Sequence, residues 1–304
     1  MTDVAWLGPV CAFMSSVTWA IGSSAYSHLS KNYSPFGVNF SRAWLALPVF
    51  ILAVFITGGS LSGGLALYRE LTPYHWAWLA TSMVVSYGIG DALFLWSTRY
   101  LGIPGALAIS SAYPLLTTLY GVLFREEVLS MKQALGILVA IGGMVLVILY
   151  APHTEVSRHK KRSHALKGLA LATGACLLWA MNSIAVSYGG QGISPFVGNS
   201  VRMLLALPIS AAAGFLLARR QPLLLPVREF KKYWWAILFE AFGGSTFFMY
   251  GLAHSSLAIG STLSALAPIL AVPFAWAIGG EKVSYVRTGG VGMAVCGLWL
   301  LVVP

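Results

Sequence analysis

Charged residues are scarce in this chain. Asp, Glu, Lys and Arg together make up 9% of its 304 residues, whereas ordinary soluble domains carry about 25%. Hydrophobic residues make up 58%, more than a soluble fold could hide. The net charge of +10 would suit a nucleic acid, but the cations fall in short connectors and form no basic helix or patch. The composition therefore excludes a soluble nucleic-acid-binding protein and indicates an integral membrane protein.

Cysteine and metal-ligand patterns are also nearly absent. Cys11, Cys176 and Cys296 lie in separate apolar segments, without a CxxC pair or the spacing of zinc ligands. The six histidines fall at segment ends or in connectors, and there is no HExxH motif or Asp-rich cluster. We therefore expect no metal and no cofactor, and a membrane-embedded enzyme is the weaker alternative.

Long apolar segments are what the chain does contain. A spanning helix needs about 20 apolar residues, because about 1.5 Å of rise per residue must cross roughly 30 Å of hydrocarbon. The first segment is long enough to span and lacks a basic leader, so we expect a membrane helix and not a cleaved signal peptide. The ten predicted spans are 5–28, 35–57, 74–98, 101–124, 131–150, 167–188, 195–218, 232–252, 256–279 and 284–303. The sequence thus predicts an all-α integral membrane protein.

The two halves of the chain are copies of each other. A shift of 160 residues aligns the first two spans of each half, and a shift of 154 aligns the fourth and fifth. The matched pairs include Trp19 and Trp179, Pro35 and Pro195, Asn39 and Asn199, Arg42 and Arg202, Ser110 and Ser264, Pro114 and Pro268, Glu127 and Glu281, and Gly136 and Gly290. Each copy has five spans, an odd number, so the second copy must enter the membrane from the opposite side. Inverted repeats of this kind recur in secondary transporters, whose substrate lies near the bilayer midplane.

A basic linker, residues 151–166, separates the first repeat (1–150) from the second (167–304). With ten spans, the connectors and adjoining span ends on the linker's side carry fourteen Lys and Arg residues, and those on the other side carry only Arg69, Arg125 and Lys132. Because cytoplasmic loops are rich in Lys and Arg, the linker side is predicted to be cytoplasmic. Both termini are then outside, and we expect a bacterial inner membrane.

The duplicated motifs, taken in their order along the chain, resemble those of the drug/metabolite transporter superfamily, and within it those of the ten-helix EamA-like exporters. The resemblance covers both halves. It rests on Trp19-Ala20 and Trp179-Ala180, on Ser-Pro-Phe followed by Arg42 or Arg202, and on Pro114, Glu127 and Gly136 with their second-half counterparts. It implies a basket of ten helices around a central cavity, carrying amino acids, metabolites or drugs. One departure is that Gly22 in the first copy aligns with Asn182 in the second.

Polar and aromatic residues near mid-depth form the predicted substrate site. They are Trp19, Ser110, Ser111, Tyr113, Trp179, Asn182, Ser183 and Ser264. The indoles could line a pocket or only fill a gap between helices. Pro114 and Pro268 each remove a backbone hydrogen bond, so they are predicted helix hinges, with relief of a simple kink as the alternative. This mixture suits a small, partly apolar metabolite such as an amino acid. It suits a nucleotide sugar poorly, because no cluster of cations would hold a diphosphate.

Asp91 and Glu240 are the only carboxylates well inside the predicted spans. Because an intramembrane carboxylate is energetically costly, both are predicted coupling residues, with a proton as the candidate ion. The alternative is that each is hydrogen-bonded to a neighbouring helix or paired with Arg42 or Arg202. In each half an Asn and an Arg stand three residues apart on one helix face. These residues, Asn39, Arg42, Asn199 and Arg202, could bind a substrate anion, but their conservation in both halves favours a structural role.

The sequence therefore predicts a secondary active transporter that exports small metabolites, such as amino acids, by alternating access. Its expected partners are the lipid bilayer and a small-molecule substrate. A membrane-embedded enzyme, or a multidrug or nucleotide-sugar carrier, remains the alternative. Nothing in the sequence requires an oligomer.

Overall fold

The computed structural model describes residues 6–150, 162–219, 221–270 and 285–302, and every regular element in these ranges is helical. Residues 151–161 of the predicted linker, and Glu281, lie outside them. The elements are α1 (Leu7–Asn32), α2 (Pro35–Thr57), α3 (Leu61–Arg69), α4 (Pro73–Met83), α5 (Asp91–Ser110), α6 (Tyr113–Phe124), α7 (Met131–Leu149), α8 (Arg162–Gly189), α9 (Pro195–Leu217), α10 (Val227–Leu238), α11 (Ser245–Ala253), α12 (Leu257–Ser264) and α13 (Tyr285–Val302). Two π-helical segments, π1 (Val84–Gly90) and π2 (Phe239–Gly244), join α4 to α5 and α10 to α11.

Within the described ranges, six helices are long and apolar enough to cross a membrane. They are Pro35–Thr57, Pro73–Ser97, Met131–Leu149, Leu166–Gly189, Pro195–Leu217 and Val227–Ala253. Four shorter apolar helices are Leu7–Gly22, Tyr113–Phe124, Leu257–Leu270 and Thr288–Leu301. In chain order they overlap the predicted spans. The prediction of an all-α protein with several membrane helices is confirmed, whereas the count of ten spans remains a prediction.

The duplicated Ser-Pro-Phe motif starts α2 and α9 in the same way. The Ser34 hydroxyl accepts a hydrogen bond from the Gly37 amide at 3.0 Å, and the Ser194 hydroxyl accepts one from the Phe196 amide at 3.3 Å. A proline follows each serine in the first helical turn, where its missing N–H is not needed. Each helix therefore begins at a fixed residue, and the arginine seven positions later lies about 10 Å along the axis.

The third predicted span of each half contains a π-helical segment. Such segments are usually single wide turns, and they occur frequently at functional sites. Tyr87 lies on π1 and Glu240 on π2, and both are buried. A π segment advances the register of the residues after it, so their side chains face directions that a regular α-helix would not give them.

The fourth span of each half is interrupted at matched positions. The helical element α5 ends at Ser110, and α6 begins at Tyr113 with Pro114 in its first turn. In the second half α12 ends at Ser264, and Pro268 follows. The prediction of one continuous span over 101–124 is therefore wrong in detail, because a proline has no N–H for the preceding turn and here begins a new helix. The predicted connector after residue 98 also lies within α5, whose helical hydrogen bonding continues through it.

The two halves meet along corresponding helices. α2 packs against α9, α5 against α8, and α1 against α11. Between α2 and α9 the buried residues Ala43, Ala46, Met203 and Ala206 form one apolar cluster with Tyr87. Small side chains on both helices allow their backbones to approach closely in a membrane. The asparagines and arginines of the duplicated motif therefore lie near this contact between the halves.

Candidate functional site

A buried ion pair joins the two halves at the centre of the site. The Arg42 Nη2 atom on α2 donates to both carboxylate oxygens of Glu240 on π2, at 2.8 Å each. Arg42 and Glu240 are each only 5% exposed. A buried charge is tolerable only when it is paired and hydrogen-bonded, so each of these residues requires the other. The structure therefore shows the alternative considered for Glu240, an ion pair with Arg42.

Asn39 extends this pair to Asp91. The Arg42 Nη1 atom donates to the Asn39 side-chain oxygen at 3.0 Å, and the Asn39 amide nitrogen donates to Asp91 Oδ2 at 2.8 Å. The other carboxylate oxygen, Oδ1, accepts from the Trp179 indole N–H at 3.3 Å. Gly90 makes room for this indole, because a Cβ there would lie 3.2 Å from Trp179 Cδ1. Asp91, Asn39, Arg42 and Glu240 thus form one polar chain.

Aromatic rings flank the Arg42 guanidinium. Its Cζ atom lies 5.5 Å from the ring centroid of Trp19 and 5.0 Å from that of Tyr87, distances at which a cation is attracted to an aromatic ring. Tyr87 is 6% exposed, whereas Trp19 is 39% exposed. The Trp19 ring is therefore the part of this group that a solute can reach first. The Phe94 ring packs against Trp179 at 5.2 Å between centroids.

The second copy of the motif has different partners. The Arg202 Nη1 atom donates to the Asn199 side-chain oxygen at 2.8 Å, and Nε donates to the Ser82 hydroxyl on α4 at 3.1 Å. The Asn199 amide nitrogen donates to the carbonyls of Pro195 and Ser245, at 3.0 Å each. Arg202 is 4% exposed. Throughout the described ranges, no carboxylate oxygen lies within 4.0 Å of its guanidinium.

A group of hydroxyls lies between α6, α8 and α12. The Tyr113 hydroxyl donates to the Ser261 carbonyl at 3.3 Å, with the Ser183 side chain beside it. The hydroxyls of Thr117 and Ser261 are 2.6 Å apart. The Ser183 hydroxyl donates to the Trp179 carbonyl at 3.1 Å, so α8 carries both this group and the indole that contacts Asp91.

The predicted substrate residues therefore divide into three sets. Trp19 and Trp179 contact the charged chain, and Tyr113 and Ser183 belong to the hydroxyl group. The other four are held separately. The Ser110 hydroxyl donates to the Ala106 carbonyl, the Ser264 hydroxyl donates to the Ala12 carbonyl, Ser111 is buried, and the buried Asn182 side-chain oxygen has no donor among the described residues. No contact between described residues joins these four to the charged chain.

Sequence reasoning missed Tyr87 and Ser82. Tyr87 precedes the predicted coupling residue Asp91 by four positions, but the π-helical segment between them removes the regular helical spacing that could have linked the two. Ser82 lies one further turn away and carries no charge, so nothing in its local sequence marks it as the partner of an arginine 120 residues later.

Glu127 connects the halves at the end of the protein where α6 finishes. Its carboxylate oxygens accept from the backbone amides of Leu257 at 2.7 Å and Ala258 at 3.2 Å, in the first turn of α12. Arg125 lies 3.8 Å from the same carboxylate and donates to the Ser187 hydroxyl at 2.5 Å. A carboxylate is stabilising at a helix N-terminus, so Glu127 stabilises the first turn of α12. A cavity of about 450 Å³ lies at this end, lined by Pro9, Val128, Gln133, His254 and Ser255 among others.

Comparison with known proteins identifies a family and similar solved structures. A sequence model described as "EamA-like transporter family" matches the chain twice, over residues 6–149 and 166–303. A solved structure titled "Crystal structure of protein" aligns with a TM-score of 0.71 and 18% sequence identity, and the alignment covers 99% of this chain and 98% of that one. This second likeness concerns the fold alone. Among curated proteins no match is found.

Proposed function

Because the chain belongs to the EamA-like transporter family, we propose that it is a secondary carrier that exports a small amphipathic metabolite, such as an amino acid, by alternating access. The family makes it a membrane transporter. The observation that carries the finer assignment is the buried polar chain from Asp91 to Glu240, which joins the two halves. Ionisable residues in membrane spans are rare, and they mark substrate and ion pathways.

The chemistry of this region favours a solute that has both charge signs and an apolar part. Arg202 offers a cation, Asp91 offers an anion, and the rings of Trp19 and Trp179 offer apolar surface. An α-amino acid has a carboxylate, an ammonium group and a side chain to match these groups. A nucleotide sugar fits poorly, because its diphosphate needs several cations and Arg42 is already paired with Glu240.

An inverted arrangement of ten spans supports the same proposal. Arg42 and Arg202 lie equally deep in helices that begin in the same way. If the second copy is inverted, these arginines approach the midplane from opposite faces. A solute between them would be exposed to each side in turn as the halves rock against each other. Pro114 and Pro268, at the matched interruptions of the fourth spans, are the proposed hinges.

Asp91 is the better candidate for coupling to an ion gradient. Its two oxygens accept only from the neutral side chains of Asn39 and Trp179, whereas Glu240 is neutralised by Arg42. A carboxylate without a cationic partner can gain or lose a proton without breaking an ion pair. We therefore propose that Asp91 couples transport to the ion gradient and that Glu240 has a structural role in the site.

Counterflow in liposomes tests the proposed function. Purified protein is reconstituted in vesicles loaded with one unlabelled amino acid, and uptake of the labelled compound is followed for each member of a panel. Saturable counterflow of an apolar or aromatic amino acid is expected. Counterflow of only a lipophilic cation or a nucleotide sugar would overturn the amino-acid assignment, and chemical turnover without net movement would favour an enzyme.

The proposed setting is a bacterial inner membrane with both termini outside. This orientation rests on the excess of Lys and Arg in the connectors on the linker's side. A green fluorescent protein fused to the C-terminus should then stay dark in cells, because green fluorescent protein that crosses the membrane unfolded does not form its chromophore. Strong fluorescence would place the C-terminus in the cytoplasm.

A further inference from the structure

Four charged side chains lie within the helices at the contact between the halves, and only two of them form an ion pair. Arg42 and Glu240 are paired at 2.8 Å. Asp91 accepts from two neutral donors, and Arg202 donates to two neutral acceptors. One carboxylate and one buried cation thus remain without a direct partner of opposite charge in the part of the chain that the structure describes.

The setting of Arg202 is energetically unusual. It is as deeply buried as Arg42, at 4% against 5% exposure, but Glu240 acts on it only from beyond ion-pair distance. A buried cation without a paired anion is strongly unfavourable unless something else compensates for its lost hydration. The side-chain oxygens of Asn199 and Ser82 compensate only in part, because neither carries the negative charge that would neutralise the guanidinium.

Arg202 also has unused hydrogen-bonding capacity. A guanidinium has five N–H donors in a planar fork, and the hydrogen bonds to Ser82 and Asn199 use one donor on Nε and one on Nη1. The Nη2 donors have no acceptor among the described residues. These Nη2 donors can therefore donate charge-assisted hydrogen bonds to a carboxylate.

From these observations we infer that Arg202 is the anion-binding residue of the transport site and holds the carboxylate of the solute through its Nη2 donors. The inference rests on the proposed function as a carrier of amino acids or related carboxylates, and it adds which arginine the carboxylate contacts. Arg42 is not that residue, because Glu240 occupies its Nη2 atom. The solute, in this assignment, supplies the counter-charge that Arg202 lacks among the described residues.

Three related compounds test the carboxylate contact in counterflow competition. They are L-phenylalanine, L-phenylalaninamide, which lacks the carboxylate, and 3-phenylpropionate, which lacks the ammonium group. In the wild type the two carboxylates should compete at least about tenfold better than the amide, since a charge-assisted contact exceeds the roughly 1.4 kcal/mol that equals tenfold. Arg202→Gln should abolish this preference, and Arg202→Lys should restore part of it. Equal preference in the wild type and Arg202→Gln would overturn the inference.

Thermal stability gives a test that needs no substrate. If Arg202 is an anion-binding residue without a paired anion, Arg202→Gln should leave the Tm of the purified protein unchanged or raise it. Arg42→Gln removes the ion-pair partner of Glu240 and should lower the Tm. Equal losses of Tm in the two variants would show that Arg202 is only a structural tie and would overturn the inference. If no compound of the panel is carried by the wild type, the amino-acid assignment fails, while this comparison still decides the role of Arg202.

A second variant avoids the removal of Arg202. Ser82→Asp places a carboxylate beside the guanidinium, and Ser82→Asn is the matched control with similar size and no charge. We expect Ser82→Asp to raise Tm and to prevent competition by both carboxylates, while Ser82→Asn keeps competition within about threefold, a change of less than 1 kcal/mol. Undiminished carboxylate competition in Ser82→Asp would contradict an anion site at Arg202.

Discussion

Asn39–Arg42 and Asn199–Arg202 occupy the same positions in two copies of one motif, and their surroundings differ. In both, the arginine Nη1 atom donates to the asparagine three residues earlier, at 3.0 and 2.8 Å. Beyond that shared contact, Asn39 and Arg42 join two carboxylates into one chain. Asn199 instead bonds to two backbone carbonyls, and Arg202 to one hydroxyl. The motif sets the position of each pair, and the helices opposite determine what the pair does.

The third span of each half is the source of this difference. Glu240 is the second residue of π2, and the second residue of π1 is Val85. Asp91 lies seven residues after the first residue of π1. The residue seven positions after the first residue of π2 is Thr246, which carries no charge. The third span of each half therefore carries one carboxylate, but the two carboxylates lie at different positions along their spans. A duplicated scaffold has acquired an asymmetric set of charges, which a carrier for an asymmetric solute requires.

Glu240→Gln should produce the largest effect. It leaves the buried Arg42 cation without its anion, and breaking a buried pair in this way costs about 3–5 kcal/mol in the free energy of unfolding. The matched change in the other half, Ser82→Ala, removes one hydrogen bond between Arg202 and a neutral acceptor and should cost about 1.5–3 kcal/mol. Thermal unfolding of the purified variants in detergent measures both. Similar losses in the two variants would mean that the two arginine environments are equivalent.

Asp91→Asn should affect transport more than stability. The amide has nearly the same shape as the carboxylate and can still accept from Trp179 or Asn39, so folding should be retained. Without a titrating group, uptake driven by a pH gradient should fall at least about 100-fold, equivalent to roughly 2.7 kcal/mol. Initial rates with and without the gradient measure this. A variant that transports like the wild type across pH would make Asp91 a structural residue.

Asn39→Ala and Asn199→Ala should affect different properties: the first should reduce transport, and the second should reduce stability. Removing Asn39 disconnects Asp91 from Arg42, so apparent affinity or coupling should fall while Tm changes little. Removing Asn199 leaves the carbonyls of Pro195 and Ser245 without their shared donor and should cost about 1–3 kcal/mol in stability. Transport per folded molecule should then be retained. Tm and counterflow, measured on the same preparations, distinguish the two outcomes, and the reverse pattern would refute the assignment of roles.

Local signals in the sequence predicted the framework of the site and not its contacts. The Ser-Pro starts of α2 and α9 and the depth of the two arginines follow from helix capping and rise, which act within a few residues. The partners of Arg42 and Asn39 are 198 and 52 residues away, and which of them meet depends on how each helix is rotated. The π segments change that rotation, so regular helical spacing could not indicate that Tyr87 and Glu240 face Arg42.

Trp19→Phe and Trp179→Phe should give the smallest pair of effects and should still differ. Trp179 donates its indole N–H to Asp91 at 3.3 Å, and phenylalanine has no such donor. Trp19 contacts the Arg42 cation through its ring face, a contact that phenylalanine can largely keep. Losing a hydrogen bond to a charged group costs about 1.5–3 kcal/mol, so Trp179→Phe should weaken apparent affinity or coupled uptake about 10-fold or more. Trp19→Phe should weaken either by no more than about threefold, because most of a cation–π contact of roughly 0.5–1 kcal/mol is retained. Concentration dependence of counterflow measures the affinities. Equal effects of the two substitutions would mean that the bond from Trp179 to Asp91 contributes nothing to transport, and that the two indoles serve only as matched packing in the two halves.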